Sequence, residues 1–268
     1  MTTGNRDGIL LVGHGTRDPA GARQFLATAE ALRAALPERL VEPCFLEILK
    51  PDVAAGCRRL VERGARQVAV VPLLLLAAGH AKRDIPAILR RIIREYPDIR
   101  IHQCSHLGSS ELLDELSLER YRQALAGRVA IAAKDTLLVL VARGTTDRSA
   151  IREMQQFARR RAAHSPVGRV EVCFAAVAEP SLPAVLAHAA ELPFARVVVQ
   201  PHLLFGGLVL AGIKNTLETF VRGRGGDRQW LLAQPLGPSP ALVRAVADTL
   251  VHVQPCLSNV LAAATVEQ

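Results

Sequence analysis

The sequence predicts an α/β protein made of two tandem, doubly wound parallel-sheet halves related by internal duplication. Three observations carry this. First, the chain matches itself at a fixed offset: Gly15-Thr16-x-Asp18 returns as Gly144-Thr145-x-Asp147, and 144 − 15 = 129. The same shift maps Val41-Glu42-x-Cys44-Phe45 onto Val170-Glu171-x-Cys173-Phe174, Pro51 onto Pro180, Pro72-x-Leu74-Leu75 onto Pro201-x-Leu203-Leu204, and Leu107-Gly108 onto Leu236-Gly237. Ungapped matches over that span mark a tandem repeat. Second, each copy alternates short apolar runs with helical stretches, the pattern of a parallel sheet covered on both faces. Third, the apolar runs are continuous rather than alternating, as strands buried on both faces must be.

Each copy reads in the same order. Residues 8–14 and 136–142 form the first strands, and helices follow at about 18–35 and 147–164, with Asp18 and Asp147 placed to cap them. Second strands run near 40–47 and 169–176. Pro51 and Pro180 then open helices that reach about residues 63 and 192, a position suited to the first helical turn. Third strands at 67–75 and 196–204 lead through loops into helices at 84–95 and 212–222. Fourth strands near 99–104 and 230–234 precede a Leu-Gly pair and a last helix. The join falls near Gly127 to Asp135, giving an N-terminal half, 1–128, and a degenerate C-terminal half, 129–268.

Composition narrows the function. Half of the 268 residues are apolar, enough for a substantial core, and the net charge of +8 favours an anionic partner. With 4% aromatic residues the chain is poorly suited to stacking nucleic-acid bases, and it carries no zinc-finger or RNA-recognition motif. Nucleic acid is therefore not the expected partner. The five cysteines, Cys44, Cys57, Cys104, Cys173 and Cys256, form no CxxC and are odd in number, so they read as reduced core thiols. The short polar start is unlike a signal peptide, and the longest apolar stretch, Val68 to Gly79, is too short for a membrane helix. A cytoplasmic protein without a membrane partner is expected.

Three ionisable residues of the first half fall at the carboxyl ends of three strands. His14 follows the first, Glu47 ends the second, and His80 lies just past the third. Parallel strands deliver such positions to one rim, where ligands of doubly wound sheets gather. Two imidazoles and a carboxylate suit a borderline divalent cation, and imidazole can also accept a proton near neutral pH. The duplication supplies a control: shifted by 129, His14 becomes Arg143, Glu47 becomes Ala176 and His80 becomes Val209. The structural signature persists while all three candidate ligands vanish together, so the trio reads as one functional set present once.

The segments "LLVGHGTRDPAG", "CFLEILKPDV" and "VPLLLLAAGHAKRDIP" together resemble the signatures of the sirohydrochlorin chelatases, the ATP-independent class II chelatases of cobalamin and sirohaem biosynthesis. The resemblance covers the first half closely and the second as the degenerate copy of two-repeat members. It implies a chelatase-like fold with the active-site cleft between the halves. It further implies insertion of Co2+ or Fe2+ into sirohydrochlorin, the metal being substrate, with no tightly bound cofactor. His14, Glu47 and His80 would bind the metal and help remove the pyrrole protons. Sirohydrochlorin is a polycarboxylate, which suits the basic chain; Arg17, Lys82, Arg83 and Arg143 beside the motifs are the candidates to hold its carboxylates. No GxxxxGK[ST] phosphate loop occurs, in keeping with an ATP-independent reaction. The duplicated chain is expected to act as a monomer or weak homodimer.

The same residues admit other functions. A non-catalytic tetrapyrrole or metal carrier could use the same cleft. A dinucleotide-binding enzyme is disfavoured because Gly13-His14-Gly15 lacks the third glycine of GxGxxG. His102 and His106 flank Cys104 but read as a strand-end loop, and His202 reads as structural or as a cleft-wall residue.

Overall fold

A computed structural model describes residues 7–76 and 83–250. In chain order the first repeat contains β1 (Gly8–Gly13), α1 (Pro19–Ala35), β2 (Leu40–Phe45), α2 (Val53–Glu62), β3 (Gln67–Pro72), α3 (Ile85–Glu95), β4 (Arg100–Gln103) and α4 (Leu112–Leu125). The second contains β5 (Thr136–Ala142), α5 (Arg148–His164), β6 (Arg169–Phe174), α6 (Leu182–Glu191), β7 (Arg196–His202), α7 (Leu208–Arg224), β8 (Gln229–Leu232) and α8 (Pro240–Thr249). Each repeat builds one four-stranded parallel sheet, ordered β2-β1-β3-β4 and β6-β5-β7-β8.

The central strands behave as their sequences require. Every residue of β1 and of β5 is buried, so neither face of either strand meets water. On one face of the first sheet Leu10, Val12, Cys44, Val68 and Val70 meet Val53, Cys57 and Leu60 of α2 and Ile85, Leu89 and Ile92 of α3. The second sheet repeats this with Leu137, Val139 and Val141 against Leu182, Val185 and Leu186 of α6 and Ile213 and Leu217 of α7. Each such aliphatic side chain contributes about 1.5–3 kcal/mol when fully buried.

Which helices cover the other face is not set by the repeat. The chain divides into two compact units: residues up to Ser110 together with those from Pro238 onward, and Glu111–Gly237. Accordingly α8, the last helix of the second repeat, packs beside α1 in the first unit, where Ser110 Oγ donates to Asp248 at 3.3 Å. In the second unit α4, the last helix of the first repeat, packs against α5 and β7. The Arg120 guanidinium of α4 donates there to the Leu236 carbonyl at 2.9 Å.

Helix starts follow capping chemistry. Asp18 accepts from the Ala20 N–H at 2.7 Å and Asp147 from Ser149 at 2.8 Å, so the aspartate kept in both copies is a cap. The expectation that Pro51 and Pro180 open helices is corrected. The caps are Asp52 and Ser181, and each proline carbonyl instead accepts the N–H of Phe45 or Phe174 at 2.9 Å, prolonging the strand pairing. The helix expected from residue 212 begins at Leu208, because Gly207, at φ 144°, supplies the turn immediately before it.

Candidate functional site

Backbone pairing between β1 and β2 does not stop where the strands stop. The Leu46 N–H donates to the Gly13 carbonyl at 2.9 Å and the Glu47 N–H to the His14 carbonyl at 3.1 Å. Glu47 thus lies two residues beyond β2, in a turn, rather than at the strand's end as the sequence suggested. Gly15 has φ 99°, and a Cβ there would lie 2.0 Å from the Glu47 carbonyl oxygen, so only glycine allows the two loops to close on each other. The result is a side-chain pair: His14 Nδ1 lies 3.2 Å from Glu47 Oε1, with both side chains partly open to solvent. The pair stands at the carboxyl edge of β1, where the strand order of the first sheet reverses.

The turn that carries Glu47 has a second feature. The Leu49 N–H donates back to the Glu47 carbonyl at 2.7 Å across Ile48, whose φ is 71°. This is a γ-turn of the rare positive-φ kind, and a β-branched residue there costs on the order of 1–3 kcal/mol. The sequence gives no warning of it, because neither Gly nor Asn occupies the position.

The His14–Glu47 spacing suits a shared cation. Bonds of about 2.1 Å to one nitrogen and one oxygen 3.2 Å apart would meet at about 100°, close to the angle between neighbouring ligands of a tetrahedral or octahedral ion. Among the described residues no group of three His, Cys, Asp or Glu side chains forms a metal cluster. His80 and Lys82 lie outside the described residues. Of the candidate carboxylate-holding groups, Arg17 is exposed in the loop between β1 and α1, Arg83 is exposed just before α3, and Arg143 is exposed directly after β5.

The second repeat has the same scaffold with different side chains. The Ala176 N–H donates to the Arg143 carbonyl at 3.1 Å, Gly144 has φ 102°, and a Cβ on it would lie 1.7 Å from the Ala176 oxygen. Val209, the counterpart of His80, packs against the apolar core from α7. The shared glutamates of β2 and β6 serve elsewhere. Glu42 is buried with Arg59 at 2.9 Å and Arg63 at 3.4 Å, and Glu171 pairs with Arg169 at 2.9 Å.

Two further histidines, His202 and His102, and the four described thiols are structural in setting. His202 ends β7 fully enclosed, its ring 4.3 Å from that of Phe157, and burial with the Arg160 charge nearby drives its pKa down to about 3. His102 lies in β4 with a buried Nδ1, and Cys104 follows as a buried bridge residue. Cys44, Cys57, Cys104 and Cys173 are free thiols in the cores, and burial pushes Cys57 and Cys104 up to about 11 and Cys173 to about 12. They are accordingly poor nucleophiles and poor metal ligands at neutral pH.

Comparison with known proteins agrees with this layout. The family model CbiX matches residues 8–124 and again 137–253, one match per repeat. A sirohydrochlorin ferrochelatase of Priestia megaterium is 32% identical over 86% of this chain and 84% of that protein. A sirohydrochlorin cobaltochelatase of Sulfolobus acidocaldarius is 43% identical over 44% of this chain and 93% of its own length. The solved structure of SirB from Bacillus subtilis with Fe3+ superposes with a TM-score of 0.81 at 27% identity, covering 92% of this chain and 95% of that one. With both repeats matched and the fold shared, the chain belongs to the CbiX family, that of the sirohydrochlorin chelatases.

Proposed function

We propose that this protein inserts Fe2+ or Co2+ into sirohydrochlorin without ATP, using one metal site in its first repeat. The observation that carries the reading is the imidazole–carboxylate pair, His14 Nδ1 to Glu47 Oε1 at 3.2 Å, on the carboxyl edge of a CbiX-family sheet. His14 and Glu47, joined by His80 from the sequence that follows β3, hold the incoming dication. As it passes to the ring nitrogens, two pyrrole protons leave, so charge balances without a further reactant. An imidazole freed of the metal is a competent acceptor for such a proton at neutral pH. Arg17, Lys82, Arg83 and Arg143 engage the substrate's carboxylates, where a guanidinium can bind bidentately. The excess of 33 Lys and Arg over 25 Asp and Glu draws the polyanion toward the chain.

The test is a timed anaerobic absorbance assay of sirohydrochlorin with Fe2+, Co2+ and Ni2+ in parallel. Catalysis gives an insertion rate proportional to enzyme and well above the spontaneous one for Fe2+ or Co2+. Tight binding of the macrocycle with the spontaneous rate unchanged would identify a carrier instead.

A further inference from the structure

We propose that Ile48 is a substrate-contact residue, whose apolar side chain packs on the face of the tetrapyrrole ring beside the metal ligand Glu47. This rests on the chelatase reading. Among the described residues Ile48 and Val177 are the two non-glycine positions with positive φ, at 71° and 67°, and they are equivalent: 48 + 129 = 177. Both sit at the tip of the same γ-turn, since the Ala178 N–H donates to the Ala176 carbonyl at 2.7 Å as Leu49 does to Glu47. Glycine adopts this backbone at no steric cost and asparagine at little; isoleucine and valine are among the worst choices. A strained β-branched residue is usually offset by packing, yet Ile48 is 56% exposed and Val177 75%. Among the described residues nothing covers enough of the Ile48 side chain to offset the cost, and a ligand packed on it would.

The second repeat shows what the tip is not for. Ala176 has replaced the carboxylate, while the turn and its apolar tip persist. The tip therefore does not exist to orient Glu47. The ligand chemistry follows from position. A tetrapyrrole has an apolar conjugated face and a rim of carboxylates, and a metal enters through the face. A residue adjacent to a metal ligand consequently meets the face, where an aliphatic group fits and a charged one does not. The turn is also held: its Glu47 carbonyl lies under Gly15, where not even a methyl group fits. The tip is thereby presented rather than free to fold back.

The experiment titrates metal-free sirohydrochlorin, followed by absorbance, into wild type, Ile48→Gly, Ile48→Asn and Ile48→Val, with Co2+ binding and thermal melting measured on each. Ile48→Gly and Ile48→Asn should weaken macrocycle binding about five- to tenfold, as expected for losing a half-buried aliphatic contact. Their Co2+ affinity should stay within about twofold, and both should melt no lower than wild type because φ is relieved. Ile48→Val should bind as wild type does. Unchanged macrocycle binding, a lower melting temperature, or a loss of Co2+ affinity equal to the loss for the macrocycle would each overturn the proposal. Failure of the wild type itself to bind sirohydrochlorin would instead overturn the chelatase reading, and this inference with it.

Discussion

The two repeats share a backbone plan and differ in two regions, the strand-end rim and the sheet face covered by the exchanged helices. At the rim, His14 and Glu47 face each other in the first repeat, while Arg143 and Ala176 stand on the same hydrogen-bonded loops in the second. At the covered face, Leu32, Val71, Leu73 and Val246 of the first unit are buried and apolar. Their counterparts, shifted by 129 and with the helices exchanged, are Arg161, Gln200, His202 and Ser117. There Arg161 Nε donates to Ser117 Oγ at 2.8 Å and Gln200 Nε2 to the Ser117 carbonyl at 2.8 Å. Burial holds the Arg161 guanidinium down to about 10. The comparison teaches that strand order, loop closure and caps suffice to keep this fold. The rim side chains and core polarity then vary separately on top of it.

Five substitutions break or sharpen that contrast. The largest effect is on catalysis: His14→Ala and His80→Ala should each slow insertion about 10²- to 10⁴-fold, the range expected for losing a ligand that also moves protons, with melting temperature preserved. Wild-type turnover in either variant would remove that residue from the site. Next come the mirror-image core swaps, read by chemical denaturation. Leu32→Arg places a charge among apolar side chains with no Ser or Gln to receive it and should cost at least about 4 kcal/mol. Arg161→Leu removes a desolvated charge and leaves Ser117 and Gln200 bonded to each other at 2.9 Å, so it should change stability by less than about 2 kcal/mol. Equal damage from both would mean the polar network is required by the second unit.

The last effect is graded rather than all-or-none: a pH dependence. His202 is neutral in the folded chain, with its pKa near 3 set by burial first and Arg160 second, whereas the unfolded chain takes up a proton below about 6.5. The unfolded state therefore binds more protons between those values. Stability is full above about pH 6.5 and falls on acidification toward pH 3, by up to about 1.4 kcal/mol per pH unit from this group. His202→Leu, which restores the residue of the first repeat, should flatten the denaturation midpoint between pH 6.5 and 4. An unchanged slope would place the acid sensitivity elsewhere.

Much of this was legible in the sequence because it is local or periodic. The 129-residue offset gave both sheets, with Gly15 and its copy Gly144 among the positions that set it. His14 and Glu47 stood out because their counterparts disappeared from an otherwise matching frame. The exchange of α4 and α8 was hidden, since a repeat states which helix follows which strand but not which sheet that helix covers. Arg161 was hidden too: an arginine in an amphipathic helix reads as surface until Ser117 from another helix is seen against it. The γ-turn at Ile48 carries no turn residue, so only dihedral angles reveal it.

The central claim is that one repeat alone holds the metal, and the number of Co2+ ions bound per chain measures it most directly. Anaerobic calorimetric titration should give one ion per wild-type chain and none at the same affinity in His14→Ala or Glu47→Ala. Two equivalent ions per chain, or one ion bound undiminished by both variants, would contradict the account.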